Sequence, residues 1–393
     1  MSDKRLKVLF LAKWYPNKFD VLDGVFVVDH AKAAETKNDV FLLFVHSDPN
    51  LKTKREIITK TTNAYPEMTL YFKSPNTRFA AYNKFMTGIL YIKNQFFGYR
   101  HIRKMWGKPD LTHIHVLLRA SVLAVWLKWR RKIPFVITEH WSGYDPNVDY
   151  KISPFKKKCL AFVIKRSSAL TTVSAYLQKH IKNVTDQTDF YIVSNTIDPQ
   201  IFKPIEKEKH DKKRFVHVST LDNYPKNFGR ILEVIGRLTE TRTDFELQVI
   251  GKGVEMETQK ALAKSLGVLD KTVFFRGFLP KEQVAIEIAK SDLMLLFSHY
   301  ETQSCVLLES FLCGVPAIAP EVGGVVEIVN ANNGVLVPHD DADAFYDALQ
   351  AFLDGKLEFD PGKIRDEAMR FAYADIGEQF DEIYRATIKF SPK

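Results

Sequence analysis

The sequence predicts an α/β protein of two Rossmann-like domains, and three observations carry that expectation. Short, nearly continuous apolar runs such as Val8-Leu9-Phe10-Leu11-Ala12 and Leu293-Met294-Leu295-Leu296-Phe297 have the character of strands buried on both faces of a parallel sheet. In both halves of the chain such runs alternate with helical patterns, the arrangement of repeated strand–helix–strand units. At 393 residues, 46% hydrophobic and 26% charged, the chain is long enough for two domains that each bury a core.

The elements follow in order. Val8 to Ala12 is the first strand; the loop Lys13 to Gly24 contains Trp14-Tyr15-Pro16 and leads into a helix. Phe41 to Val45 and Leu70 to Phe72 continue as strands. Leu111 to Val116 is another, and its alternation places His113 and His115 on one face. With no third ligand close by in sequence, these histidines read as packing or cleft groups in preference to metal ligands. Pro134 to Thr138 leads into Glu139-His140-Trp141, which puts His140 just past a strand's carboxyl end. Ala169 to Val173 precedes a helix with Ser174 as its N-cap. Tyr191 to Asp198 closes the first domain, and Lys203 to Arg214, polar and without apolar periodicity, suits a linker. The second domain opens with the strand Phe215 to Ser219, the loop Leu221 to Asn227 with Lys226 in it, and a helix from Phe228 to Leu238. Two further strands end in Gly251-Lys252-Gly253 and Arg276-Gly277-Phe278. Gly377 to Phe390 is an amphipathic helix with Phe380, Ile383, Tyr384 and Ile388 on one side.

The chemistry concentrates between Ser298 and Gly324. Glu301 falls just past a strand, and Glu309 about a turn inside the helix that follows, which Gly314 and Pro316 stop. Ligands of open parallel sheets bind outside the strand carboxyl ends, where helix amino-termini offer N–H groups to phosphate. Two carboxylates there suit hydroxyl groups, while backbone N–H groups of Thr302, Gln303, Ser304 and Cys305 suit phosphate. Together they describe a nucleotide-sugar. No Asp-x-Asp sits in a cleft-facing loop, so no metal ion and no cofactor are expected.

The full run resembles the signature of the bacterial-type retaining GT-B glycosyltransferases of family 4. Glu301 and Glu309 are followed by Cys313-Gly314-Val315-Pro316 and by Val322-Gly323-Gly324-Val325-Val326-Glu327-Ile328. The resemblance implies two Rossmann-like domains facing each other across a cleft. Residues 1–205 would be the acceptor-side domain, with a terminal helix 374–393 packing back on it, and 206–373 the donor domain. It implies a retaining hexosyltransferase that moves a sugar from a nucleotide-sugar to a glycan or lipid-linked acceptor, in polysaccharide or glycoconjugate synthesis. Residue by residue, Glu309 would hold the donor ribose and Glu301 the transferred sugar. His140 would contact donor sugar or acceptor, and Lys226 would neutralise the departing diphosphate. Gly24 would admit the donor's phosphate or sugar, and Gly277 and Phe278 would meet the base. Two departures stand out. Ser219-Thr220-Leu221 replaces the usual Gly-Arg-Leu, leaving Thr220 where a cation is expected and Lys252 or Arg276 to compensate; and Gln303-Ser304 replaces an aromatic residue and Gly. The resemblance is strongest from Phe215 to Pro338 and weakest from Ser47 to Trp106.

Composition sets the remaining bounds. Cys159, Cys305 and Cys313 lack metal-ligand spacing and are odd in number, which argues against a disulfide scaffold or zinc site and for a cytoplasmic compartment. Five apolar residues after Lys7 are too few for a signal-peptide core, and no stretch is long enough to span a bilayer. The net charge of +9 hides an asymmetry: residues 1–200 hold 32 Lys and Arg against 16 Asp and Glu, and the remainder 24 against 31. The basic half, with Trp106, Trp126 and Trp129 among its cations, fits peripheral contact with an anionic inner membrane face. The alternatives are a GT-B phosphorylase or nucleotide-sugar epimerase and, in another class, a non-catalytic module for anionic surfaces or nucleic acid. No nucleic-acid motif supports the last, and Lys13 to Gly24 lacks the Gly-x-Gly-x-x-Gly of a dinucleotide oxidoreductase.

Overall fold

The computed structural model describes residues 4–389 apart from 62–63, 118, 147, 149, 186–189, 208–210 and 222. The chain divides into two compact units, Met1–Thr196 with Tyr373–Lys393, and Ile197–Ala372.

Unit 1 is built on an eight-stranded sheet of β1 (Lys7–Ala12), β2 (Asp39–Asp48), β3 (Arg55–Lys60), β4 (Glu67–Lys73), β5 (Leu111–His115), β6 (Phe135–Glu139), β7 (Ala169–Thr172) and β8 (Phe190–Ile192). The spatial order is β3-β4-β2-β1-β5-β6-β7-β8, parallel except for the edge strand β3. Helices α1 (Val25–Glu35), α2 (Ala80–Trp106), α3 (Ser121–Arg131), α4 (Pro154–Ile164) and α5 (Ala175–Ile181) connect the strands. Alternation explains why β1 is apolar throughout: Leu9 and Leu11 enter the core on one face, and Val8, Phe10 and Ala12 the core on the other.

Unit 2 has a six-stranded parallel sheet of β9 (Lys213–Val218), β10 (Phe245–Ile250), β11 (Val273–Gly277), β12 (Leu293–Leu295), β13 (Ala317–Pro320) and β14 (Gly334–Val337). Its helical elements are the short turn α6 (Asn223–Lys226), then α7 (Phe228–Leu238), α8 (Met256–Ser265), α9 (Lys281–Lys290), α10 (Cys305–Leu312), α11 (Ala342–Leu353) and α12 (Pro361–Ala368). The order β11-β10-β9-β12-β13-β14 is that of a doubly wound dinucleotide-type fold, with the winding reversing between β9 and β12. Here too both faces are buried, Phe215 and Leu293 against one core and Val216 and Met294 against the other.

The chain leaves unit 2 at Ala372, and its last helix, α13 (Tyr373–Lys389), belongs to unit 1, where it lies along α1. The boundary falls at Thr196, earlier than the polar stretch the sequence offers as a linker. Ile197 bridges to Ala372, Phe202 is fully buried in the unit 2 core, and the Arg365 guanidinium donates to the carbonyls of Pro199, Phe202 and Leu312. Apolar anchoring on both sides of Asp198 therefore assigns 197–205 to unit 2, and Lys213 already opens β9.

Candidate active site

The reversal point of unit 2 brings together the loops that leave β9 and β12. Lys226, at the end of α6, donates to Glu301 Oε1 at 2.7 Å, and Ser298 Oγ donates to the same oxygen at 3.0 Å. The two loops are tied along their length. His299 N donates to the Pro225 carbonyl at 2.9 Å, and the Tyr224 ring lies against His299 and Tyr300. Beneath them a buried relay runs from Leu221 N–H to Ser219 Oγ, on to His217 Nε2, and from His217 Nδ1–H to the Leu295 carbonyl. Burial lowers His217 to about 4, so it works as a neutral link between the strand ends. Burial also opposes the Lys226 charge, but the Glu301 carboxylate outweighs it and leaves the lysine above its ordinary value. The sequence reading gave these two side chains separate duties. The structure makes them one ion pair, Glu301 9% and Lys226 24% exposed.

The glycine pair of the motif has a direct physical reason. Gly323, at φ +50°, would place a Cβ 1.9 Å from the Glu301 carbonyl oxygen, and Gly324 N–H donates to that oxygen at 3.0 Å. The pair thus clasps the backbone that carries the Glu301 carboxylate. Beyond it, Thr302 is half-buried and Gln303 and Ser304 are buried; Ser304 is the N-cap of α10 without a side-chain capping bond. The first turn of α10 begins at Cys305, and a helix amino-terminus is the end that favours anions. Glu309 lies half-buried one turn further along α10.

Thr220 is exposed just past β9. Of the two cations proposed to replace the missing arginine, Arg276 donates through Nε to Gln248 Oε1 at 2.6 Å and is held on the sheet. Lys252 is exposed, with its ammonium 4.8 Å from the centre of the Phe278 ring, itself 45% exposed. Gly277, at φ +69°, ends β11 and accepts from Gly251 N–H at 2.9 Å. Lys252, Gly277 and Phe278 are thus neighbours past the ends of β10 and β11. The one Asp-x-Asp of unit 2 has structural duties. Asp341 caps α11 through Ala344 N–H, and Asp343 pairs with Arg237.

In unit 1 the reversal point lies between β1 and β5. Gly24 begins α1 at φ +63°, and a Cβ there would stand 2.4 Å from the Trp14 carbonyl, so only glycine fits. Next to it, Asp23 is raised to about 6, first by burial and then by Asp20, and burial lowers Lys13. The sequence reading did not single out either group.

His140 follows β6 and is 7% exposed. Glu139 shapes its loop, accepting from the N–H groups of Leu117, His140 and Trp141 and from the Tyr144 hydroxyl. Burial raises the Glu139 carboxyl, and these bonds act against the rise. The His140 ring packs 4.2 Å from Phe26 and 5.1 Å from His30, and its Nε2 lies 3.3 Å from His115 Nδ1. Burial holds His140 well below the usual range, so it meets a ligand as a neutral hydrogen-bonding ring. His113 is spoken for by the Tyr384 hydroxyl at 2.6 Å and Thr138 Oγ1 at 2.7 Å.

The sequence reading found no third ligand near His113 and His115, whereas the fold brings two other histidines to His115. His30, His115 and His140 each offer a ring nitrogen within 4.8 Å of the others. His30 Nδ1 and His115 Nε2 are buried without a hydrogen-bond partner. Neutral imidazoles of this kind suit a divalent transition metal, so this trio is the one described group that could hold such an ion. The fold alone brings it together, from α1, β5 and the loop after β6.

Comparisons with known proteins bear on family and fold. The model for glycosyl transferases group 1 matches residues 198–372, and that for glycosyltransferase family 4 matches 24–201. Over 297 residues the chain is 28% identical to N-acetyl-alpha-D-glucosaminyl L-malate synthase of Bacillus anthracis, spanning 70% of this chain and 74% of that protein. It is 25% identical over 249 residues to a putative teichuronic acid biosynthesis glycosyltransferase of Bacillus subtilis, spanning 62% and 61%. Among solved structures, sucrose-phosphate synthase from Thermosynechococcus elongatus superposes with a TM-score of 0.76 at 17% identity, covering 98% of this chain and all of that one. HepE of Anabaena in complex with UDP and glucose superposes with a TM-score of 0.72 at 15% identity, covering 97% and 100%. Two matched models that together run from 24 to 372, and two parallel-sheet units of this topology, make the chain a member of the family 4 glycosyltransferases of GT-B architecture.

Proposed function

We propose that this glycosyltransferase of glycoconjugate or polysaccharide synthesis takes its sugar from a nucleotide-sugar and transfers it with retention of anomeric configuration, without a metal ion. The acceptor is a glycan or a lipid-linked glycan, reached at the anionic inner face of a membrane. The observation that carries the reading is the Lys226–Glu301 pair at the reversal point of unit 2, in the loop that leads into the amino-terminus of α10.

In this mechanism Glu309 accepts from ribose hydroxyls and Glu301 from hydroxyls of the transferred sugar. Lys226, held in place by Glu301, donates to the diphosphate. As the bond from the anomeric carbon to the diphosphate breaks, negative charge grows on the leaving oxygen. The Lys226 ammonium and the positive end of the α10 dipole stabilise that charge as it develops, which lowers the barrier. Lys252 supplies the second cation in place of the arginine absent at Thr220, and Phe278 and Gly277 take the base. Gly24 lets backbone approach the donor, and neutral His140 hydrogen-bonds the donor sugar or the acceptor.

HepE has been solved with UDP, so UDP-sugars are the first donors to try. A melting screen with UDP-, GDP- and ADP-sugars should raise the transition for one nucleotide class, since binding to the native state alone stabilises in proportion to ln(1 + [L]/Kd). NMR of the product, formed with EDTA present, should show the donor's anomeric configuration. No shift with any nucleotide-sugar, an inverted product, or complete loss of activity in EDTA contradicts the respective part of the proposal.

A further inference from the structure

Unit 1 carries an apolar face that its own core does not use. On α3, Val122 and Trp129 stand two turns apart, 41% and 72% exposed; on α4, Phe155 and Phe162 repeat that spacing, 78% and 50% exposed. Two adjoining grooves run beside these stripes, about 590 Å³ and 480 Å³ in volume. Val122, Val125 and Phe162 line both, so they form one apolar depression between the helices. Soluble surfaces expose single apolar residues freely, but a contiguous patch around a groove marks an interaction site.

Charge identifies what the patch meets. The two segments that form it, residues 119–132 and 151–168, contain eleven Lys and Arg and no Asp or Glu. Arg119 and Lys158 line one groove, and Lys128 and Arg166 the other. The Arg166 guanidinium lies 3.5 Å over the Phe162 ring and that of Arg130 5.3 Å from the Trp129 ring, so cations flank the apolar stripes. A protein partner would need an equally one-sided acidic surface with an apolar ridge. An anionic bilayer offers both, headgroup charge above acyl chains, and interfacial aromatic residues sit at that level.

The tryptophans do not all take part. Trp106 is packed against Phe41 beneath the Lys7 ammonium, and Trp126 against Phe96. Both are partly buried on the core, which leaves Trp129 as the outward one.

We propose that the α3–α4 face of unit 1 docks on a bilayer of anionic phospholipid, with Trp129, Phe155 and Phe162 entering the headgroup boundary and the surrounding Lys and Arg pairing with phosphate. This places on named residues the membrane contact in the functional reading above, and rests on that reading for its purpose but not for its test.

The test is co-sedimentation of the full chain with phosphatidylglycerol vesicles and with phosphatidylcholine vesicles, at low and high salt, alongside UDP-dependent melting of each variant as a check of fold and donor site. Wild type should bind phosphatidylglycerol and release in salt, as screening shortens the reach of charge. Trp129→Ser with Phe155→Ser should weaken binding by about tenfold or more, because affinity scales with the apolar area inserted. Lys157→Glu with Lys158→Glu should do the same, while Lys264→Glu with Lys271→Glu, an equal charge change on unit 2, should leave binding unchanged. Equal binding to both vesicle types, wild-type binding by both face variants, or equal loss in the unit 2 variant overturns the proposal. So does a dimer, seen by ultracentrifugation, that the face variants dissociate, since a second copy then covers the patch. A protein that binds no vesicle yet shifts with UDP sinks only the docking face; one that binds vesicles as described but no nucleotide-sugar sinks the donor reading instead.

Discussion

At the scale of single residues, the donor proposal depends on carboxylates, one ammonium and a glycine clasp. Glu301→Ala and Glu309→Ala should each weaken donor binding by about 1.5 to 3 kcal/mol, the worth of a charge-assisted hydrogen bond, or roughly ten- to more than a hundredfold in Kd. Titration calorimetry with the donor checks this, and near-wild-type affinity in both variants would remove the assignment. Gly323→Ala is a different kind of change, since its Cβ cannot coexist with the Glu301 carbonyl oxygen 1.9 Å away. It should cost about 2 kcal/mol or more through backbone strain and lower donor affinity together with the melting temperature. The spacing of Glu301, Glu309 and the glycine pair was legible because a short motif lies on one loop and the helix after it. The pairing of Glu301 with Lys226 was not, because the partners are 75 residues apart and only the β9–β12 adjacency brings them together.

At the scale of elements, unit 1 is held by a stack of neutral rings drawn from several segments. His113 lies 4.2 Å from His115 and 5.2 Å from Phe380 of α13, and Tyr384 of the same helix closes a hydrogen bond on His113. Tyr384→Phe would leave His113 Nδ1 without that bond in a fully buried place, so a loss of about 1 to 3 kcal/mol is expected by chemical denaturation. A variant as stable as wild type would show that the bond contributes nothing. Alternation along Leu111–His115 put the two histidines on one face, but nothing in the sequence placed His30 beside them, since α1 and β5 are far apart in the chain and only the packing of α1 on the sheet brings the His30 and His115 rings to 5.4 Å. Helix α2 escaped the sequence reading for a related reason. Its buried side includes Asn94, Gln95 and Gly98, the last against Leu43, so no clean apolar stripe marks it. The edge strand β3 is exposed over most of its length and lacks the apolar run that marked the central strands.

At the scale of the molecule, each unit buries histidines that must stay neutral. Burial lowers His30 in unit 1 and His217 in unit 2 to about 4, below the value near 6.5 they regain when unfolded. The unfolded chain therefore binds protons that the folded chain refuses, and stability is complete above pH 6.5 and is lost as pH falls toward 4. Each residue should contribute about 2 kcal/mol of destabilisation between roughly pH 7.5 and pH 5, with His113, His115 and His140 acting in the same direction. Melting curves over that range check the slope, and a flat profile would show these rings to be protonated or exposed. The two-unit plan followed from the alternation of apolar runs and helical patterns, whereas its boundary did not, because Phe202 and Ile197 act through contacts with Leu312 and Ala372 regions far along the chain. The proposed function reduces to one claim, that Lys226, fixed by Glu301, grips the diphosphate of a nucleotide-sugar. Calorimetric titration of UDP and of uridine into wild type and Lys226→Ala tests it most directly. The account predicts that the variant binds UDP at least about tenfold more weakly while any affinity for uridine is unchanged. Equal UDP affinity in the two proteins, or a parallel loss for uridine, would contradict it.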